Sequence, residues 1–155
     1  MDIAYKRSEQ NILMLLRKNG RMSLRDISAA TGIPISTVHE KIKMFEPDVV
    51  RKYTTFLNFA HLGYPIQLYF LFKAKKENKE QVFTFLMSHP RMNSVYKINH
   101  GYDFLCHGYF ESMQDAEQCF LQLEEKFTVS KMQSFYILEE MKKEEFFINV
   151  EKEKN

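Results

Sequence analysis

The stretch SLRDISAATGIPISTVHEKIKMFE, residues 23–46, reads as two helices folded about one tight turn. Ser23, followed three residues later by Asp26, forms a capping box: the hydroxyl accepts from a first-turn amide and the carboxylate reaches back. Leu24, Ile27 and Ala30 recur at helical spacing until Gly32 supplies a turn and Pro34 forbids the same helix to continue. A second helix therefore starts just past Pro34. In it Val38, Ile42 and Phe45 fall at i, i+4 and i+7 and form one inward stripe. With about 100° of rotation per residue, Ser36, Glu40 and Lys43 point away from that stripe, with Thr37, His39 and Met44 on its shoulders.

A helix pair of this shape is a helix-turn-helix, and its second helix has the width and polar outer face that fit a major groove. Short solvated helix pairs share the pattern, so charge has to help decide. Residues 1–52 hold ten Lys and Arg against six Asp and Glu, a net charge of +4, whereas residues 53–155 carry twelve against fourteen, a net charge of −2. The helical part is thus the half suited to a polyanion. The residues expected to face double-stranded DNA are Arg21, Ser23, Ser36, Thr37, His39, Glu40, Lys41 and Lys43.

With 14 Phe and 8 Tyr in 155 residues there is core material for two small domains. No signal-peptide apolar region opens the chain and no apolar run is long enough to span a bilayer, so a cytoplasmic location without a membrane partner is expected. Cys106 and Cys119 lack the paired spacing of a zinc site and read as reduced packing residues. His39, His61, His89, His100 and His107 show no ligand spacing on one element, so neither a metal nor a cofactor is expected.

In chain order, Tyr5 to Lys18 reads as a first helix whose apolar side holds Ile12, Leu13, Leu15 and Leu16, ended by Asn19-Gly20. After the helix-turn-helix, Val49 to Leu57 is rich in Val, Tyr, Thr and Phe and predicts a strand. Gly63 and Pro65 mark a linker. From Ile66 the period changes to 2, with Ile66, Leu68, Phe70 and Phe72 alternating with Gln67, Tyr69, Leu71 and Lys73. A helix over Lys79 to Ser88 follows, then strands over Met92 to Asn99 and Tyr102 to Phe110 about a turn at His100-Gly101. Met113, Ala116, Phe120, Leu123 and Phe127 mark another helix, and Val129 to Leu138 the last strand.

The fold class is therefore α+β: a winged helix-turn-helix domain over residues 1–58 with its following strand, a linker over 59–65, and a ferredoxin-like βαββαβ domain over 66–141 for ligand binding and dimerisation. A charged tail over 142–155 is suited to cap a sheet edge or to stay solvated. Aromatic and aliphatic residues lie on both sides of the strands. The sheet face without helices is accordingly expected to be apolar and to close against a second copy.

This arrangement resembles the Lrp/AsnC family of transcriptional regulators over about Tyr5 to Met141. The resemblance is carried by Ile12-Leu13, Asn19-Gly20-Arg21-Met22-Ser23, Ile27, Thr31-Gly32-Ile33, Ser36-Thr37-Val38, Lys41-Ile42, Phe45-Glu46, Tyr53-Thr54, Leu57-Asn58, Leu62-Gly63 and Tyr102-Asp103-Phe104-Leu105. Membership implies sequence-specific DNA binding, homodimers or higher homo-oligomers, no enzyme activity, and an amino acid or related metabolite as effector. The effector residues it implies are Asn99, His100, Gly101, Tyr102 and Asp103.

The chain departs from the family pattern at three places. Glu46-Pro47-Asp48-Val49-Val50 is one residue shorter than the usual connection to the wing and lacks its Gly. His39-Glu40 stands where the family favours Arg, and in His100-Gly101-Tyr102-Asp103 the Gly of the family's Gly-Asp-Tyr-Asp is displaced by one. The same stretch partly echoes the His-x-Tyr-Asn-x-Trp of siroheme decarboxylases, with Tyr96 in step. There Asp103 replaces Asn, Leu105 replaces Trp, and Ile98 occupies the place of the basic residue that would anchor a tetrapyrrole carboxylate. A third reading is an effector-binding oligomerisation module that does not bind DNA.

Overall fold

The computed structural model describes residues 5–146, which divide into two compact units: residues up to 56 together with 142 onward, and residues 57–141. In the first unit, α1 (Arg7–Lys18), α2 (Leu24–Thr31) and α3 (Ile35–Phe45) enclose a core of four fully buried side chains, Ile12, Ile27, Val38 and Phe45. Tyr5 meets the Phe45 ring edge-on at 5.6 Å. At the start of α2 the Ser23 hydroxyl accepts from the Asp26 amide at 3.1 Å and donates to the Asp26 carboxylate at 2.6 Å. The carboxylate therefore returns to the hydroxyl, where a capping box would have it reach the backbone. Gly32, at φ 71, lies in the left-handed region that ends α2. Ala30 is exposed, in contrast to the expectation, because this turn swings Ile33 against the core in its place.

The strand expected over Val49 to Leu57 does not form, nor does a wing strand: Val49 and Val50 both donate to the Phe45 carbonyl, and residues 51–58 pair with no ladder among the described residues. High β propensity does not make a strand without a neighbour to bond to. The linker span contains a 3₁₀ turn, Phe59–Leu62, capped by the Asn58 side chain. Of the tail, residues 142–146 belong to the helical unit; Arg17 donates to the carbonyl and the carboxylate of Glu144, both at 3.0 Å. Residues 147–155 of the expected tail lie outside the described residues, as do residues 1–4.

The second unit follows the βαββαβ order: β1 (Ile66–Ala74), α4 (Lys79–Ser88), β2 (Met92–Lys97), β3 (Phe104–Phe110), α5 (Met113–Lys126) and β4 (Val129–Tyr136). The strands form one antiparallel sheet in the order β2-β3-β1-β4. Leu68, Phe70 and Phe72 of β1 and Phe104, Cys106 and Phe110 of β3 are buried with Val82 and Leu86 of α4 and Ala116, Cys119 and Leu123 of α5. Gly108 makes room for this packing, since a Cβ there would come within 2.8 Å of the Phe110 ring.

The opposite face carries polar side chains among the aromatic and aliphatic ones expected. Register places Gln67, Tyr69, Leu71, Tyr96, Leu105, His107, Tyr109, Gln133 and Phe135 on it. The His107 ring stacks on Tyr69 at 4.4 Å, and its two nitrogens lie 2.9 Å from the Gln67 amide and 3.1 Å from the Asn93 amide. Phe59 covers Tyr109 at 4.3 Å. Alternation correctly sends every second residue outward, but what points outward is a polar and aromatic lattice with its own hydrogen bonds.

An ion pair ties α1 to α3. Glu9 is nearly buried; it accepts from the Lys6 backbone amide at 2.8 Å and from the Lys41 ammonium. The Lys41 hydrogen bond, with the Lys6 amide second, holds the Glu9 carboxyl below its ordinary value of 4.5, against the opposing effect of burial. A depressed carboxyl pKa stabilises the fold above the unfolded-state value and ceases to do so as pH falls through the folded-state value. Glu9→Gln should therefore lower stability at pH 7 by about 1 kcal/mol, a figure kept small by the part-exposed lysine. In thermal melts from pH 7 down to pH 3 the difference between Glu9→Gln and the parent should shrink; parallel curves would refute the assignment.

Candidate nucleic-acid interface and ligand loop

Two turns of α3 separate Val38 from Phe45, and both are fully buried, so the rotation of this helix about its axis is fixed by the core. Its outer stripe consists of Ser36, His39, Glu40, Lys43 and Met44, all exposed, with Thr37 half-buried on one shoulder and exposed Ile35 opening the helix on the other. Pro34 precedes the helix, no side chain caps it, and its first turn holds no acid. The first-turn amides are left to solvent or to an anion. Among the described residues Glu40 and Lys43 form no ion pair, so each side chain is available to a partner.

Lys41 turns inward and gives its ammonium to Glu9 of α1. Ser23 spends its hydroxyl on the α2 cap, and Arg21 is exposed before α2, with its backbone amide donating to Asn19 at 3.0 Å. Ser36, His39, Glu40 and Lys43 thus share the exposed side of α3 with Thr37 at its border, while Arg21 and Ser23 precede α2 and Lys41 pairs with Glu9. The Glu9 partnership spans 32 residues of sequence, yet it had a signal: an acid three residues before buried Ile12, on the inward side of an amphipathic helix.

The loop between β2 and β3 turns at His100, φ 59, and Gly101, φ 88. Positive φ at both central residues is the signature of a type I′ hairpin turn, whose twist matches that of the flanking strands. Asn99, His100 and Gly101 form the exposed tip. Tyr102 and Asp103 are engaged below it. The Tyr102 hydroxyl donates to Gln133 at 2.9 Å while the Lys131 ammonium sits 4.4 Å from its ring centre. The Asp103 carboxylate accepts from the Ala74 amide at 3.1 Å and from the Lys79 ammonium, and its own amide donates to the Phe72 carbonyl at 3.0 Å. Those bonds brace the hairpin against the end of β1 and the start of α4. Away from this loop, burial pushes the Cys106 and Cys119 thiols up to about 12, which keeps both protonated and unreactive at neutral pH.

Residues 6–46 match the family model described as winged helix-turn-helix DNA-binding. The HTH-type transcriptional regulator FL11 of Pyrococcus abyssi is 33% identical over 106 residues, 68% of this chain and 70% of that protein. The chain belongs to the Lrp/AsnC family of transcriptional regulators. The match spans 65–70% of the length of the FL11 relatives. Solved structures share the fold: a Neisseria meningitidis transcriptional regulator in complex with L-Met has a TM-score of 0.84 at 21% identity, covering 90% of this chain and 94% of that one. LrpC of Bacillus subtilis has a TM-score of 0.83 at 18% identity, covering 90% and 99%. The relatives matched in this Lrp/AsnC protein's sequence are regulators, and no described helix is long and apolar enough to cross a membrane.

If Asp103 braces the hairpin, Asp103→Ala should destabilise the protein by about 1–2 kcal/mol even without ligand, because the Ala74 amide and Lys79 both lose their acceptor. Thermal or denaturant unfolding reads this directly. An unchanged melting temperature would show that the carboxylate contributes nothing to the resting fold.

Proposed function

We propose that this Lrp/AsnC protein reads double-stranded DNA through the outer stripe of α3, as a homodimer or higher homo-oligomer in the cytoplasm, and that an amino acid or related small metabolite tunes its affinity. The observation that carries the DNA reading is the stripe itself, a polar surface held in fixed rotation by Val38 and Phe45 with uncapped amides at its leading end. A dimer would present two such helices to a pseudo-palindrome. Dimerisation is supported by the Tyr96 and Phe135 side chains exposed on the helix-free sheet face and by Tyr53, Phe56 and Leu57 exposed in a segment without a ladder. The effector site proposed is the hairpin of Asn99, His100, Gly101, Tyr102 and Asp103. Its exposed glycine-containing tip offers backbone amides to a carboxylate, and Asp103 would hold an ammonium by exchanging it for that of Lys79. The L-Met found with the Neisseria meningitidis regulator supports an effector of this class.

Genome-wide binding with and without candidate amino acids tests the whole reading; random retention of sequences would defeat it. Light scattering at micromolar concentration should report a dimer or larger species, and a monomer would remove the symmetric part of the proposal.

Within α3, Glu40 and Lys43 separate base reading from bulk attraction. A carboxylate amid DNA phosphates weakens binding unless it accepts from a cytosine amino group. Glu40→Ala should then change preference at one position per half-site by about 1–3 kcal/mol, whereas Lys43→Ala should weaken all duplexes alike and lower the salt slope by about one unit. Uniformly tighter binding by Glu40→Ala would mean that Glu40 only brakes non-specific attachment.

A further inference from the structure

We infer that Ile35 reads the methyl group of a thymine in the major groove, making that base a determinant of specificity in each half-site; this rests on the DNA-binding reading above. Ile35 opens α3 and is 45% exposed. Its neighbours Ile33 and Ile42 pack against the trihelical core, and Ile35 does not belong to that cluster. Helix propensity gives no reason for it either, since a β-branched side chain loses rotamer freedom in a helix. What distinguishes the position is its company. Ile35 is exposed on the shoulder of the outer stripe, about 40° of rotation from His39 by the helical period, and it stands at the leading end of the helix, from which base edges are reached.

The amides beside it lack a side-chain cap and no acid occupies the first turn, so a phosphate can seat at the helix end. That anchor would bring the first turn down on the groove. There, among donors and acceptors, the C5 methyl of thymine is the apolar group on offer, and an isoleucine is suited to cover it. Met44 is equally exposed but lies at the trailing end, nine residues later, where a helix inclined into the groove has drawn away.

The test uses the full chain and duplexes selected by it from a random pool. Each thymine is replaced in turn by deoxyuridine, which removes the methyl group and leaves the hydrogen-bonding edge intact. One thymine per half-site should show about fourfold weaker binding on loss of its methyl, the value of one buried CH₂-sized group. Ile35→Ser should bind thymine and deoxyuridine duplexes equally at that position. Ile35→Val, which keeps the branched apolar end, should retain the discrimination, and circular dichroism checks that both variants fold. Indifference of the parent protein to deoxyuridine at every position overturns the inference while leaving DNA binding intact, whatever the variants do. A penalty that persists in Ile35→Ser overturns it also, because another residue then covers the methyl. Failure to enrich any duplex overturns both readings.

Discussion

Phe45 closes the trihelical core, and the orientation of the whole helix-turn-helix depends on it. A three-helix unit of this size has four fully buried apolar side chains with which to hold itself together. Ile12 comes from α1, Ile27 from α2, and Val38 and Phe45 from α3, so the helix that contributes twice is the one whose rotation is determined best. The ring of Tyr5 meets Phe45 from outside and extends the cluster toward the start of the chain. Because the two α3 anchors are seven residues apart, turning the outer stripe away from solvent would unseat both. Presentation of Ser36, His39, Glu40 and Lys43 is therefore a consequence of core packing.

The elements legible in the sequence were those dictated by local chemistry. Gly32 and Pro34 stop one helix and start another whatever surrounds them, and His100-Gly101 turns a hairpin because both residues take positive φ. Alternation along Ile66 to Phe72 and the order of elements gave the sheet and its buried face. Illegible features were those that need a distant partner. Val49 to Leu57 has strand composition but no ladder, Lys41 pairs with Glu9 of another helix, and Asp103 is bonded to Lys79 and to the Ala74 amide. The helix-free sheet face belongs with these, since counting Tyr69 and Tyr109 as apolar hides the hydrogen-bonded His107 between them.

Charge bookkeeping changes once partners are known. The first 52 residues carry a net +4, but Lys41 is paired with Glu9 and Arg17 is engaged by Glu144. The remaining cations, among them Arg21, Arg25 and Lys43, are dispersed over the unit. Such a field steers a polyanion toward the unit without fixing where it sits.

On α3 itself the outer stripe holds one cation, Lys43, and one anion, Glu40, beside His39. The formal charges of Lys43 and Glu40 on that stripe therefore cancel. Affinity built on phosphate contacts alone would be spread evenly over sequences and would decay steeply with salt, and a neutral stripe contributes little of it. What such a stripe can contribute is discrimination: a carboxylate penalised everywhere except opposite a cytosine amino group, hydroxyls and an imidazole that require matching edges, and an apolar first turn that favours a methyl. With Lys43 alone of the unit's cations on the outer stripe of α3, the DNA reading proposed above has changes on α3 alter which sequence is bound more than how tightly DNA in general is held.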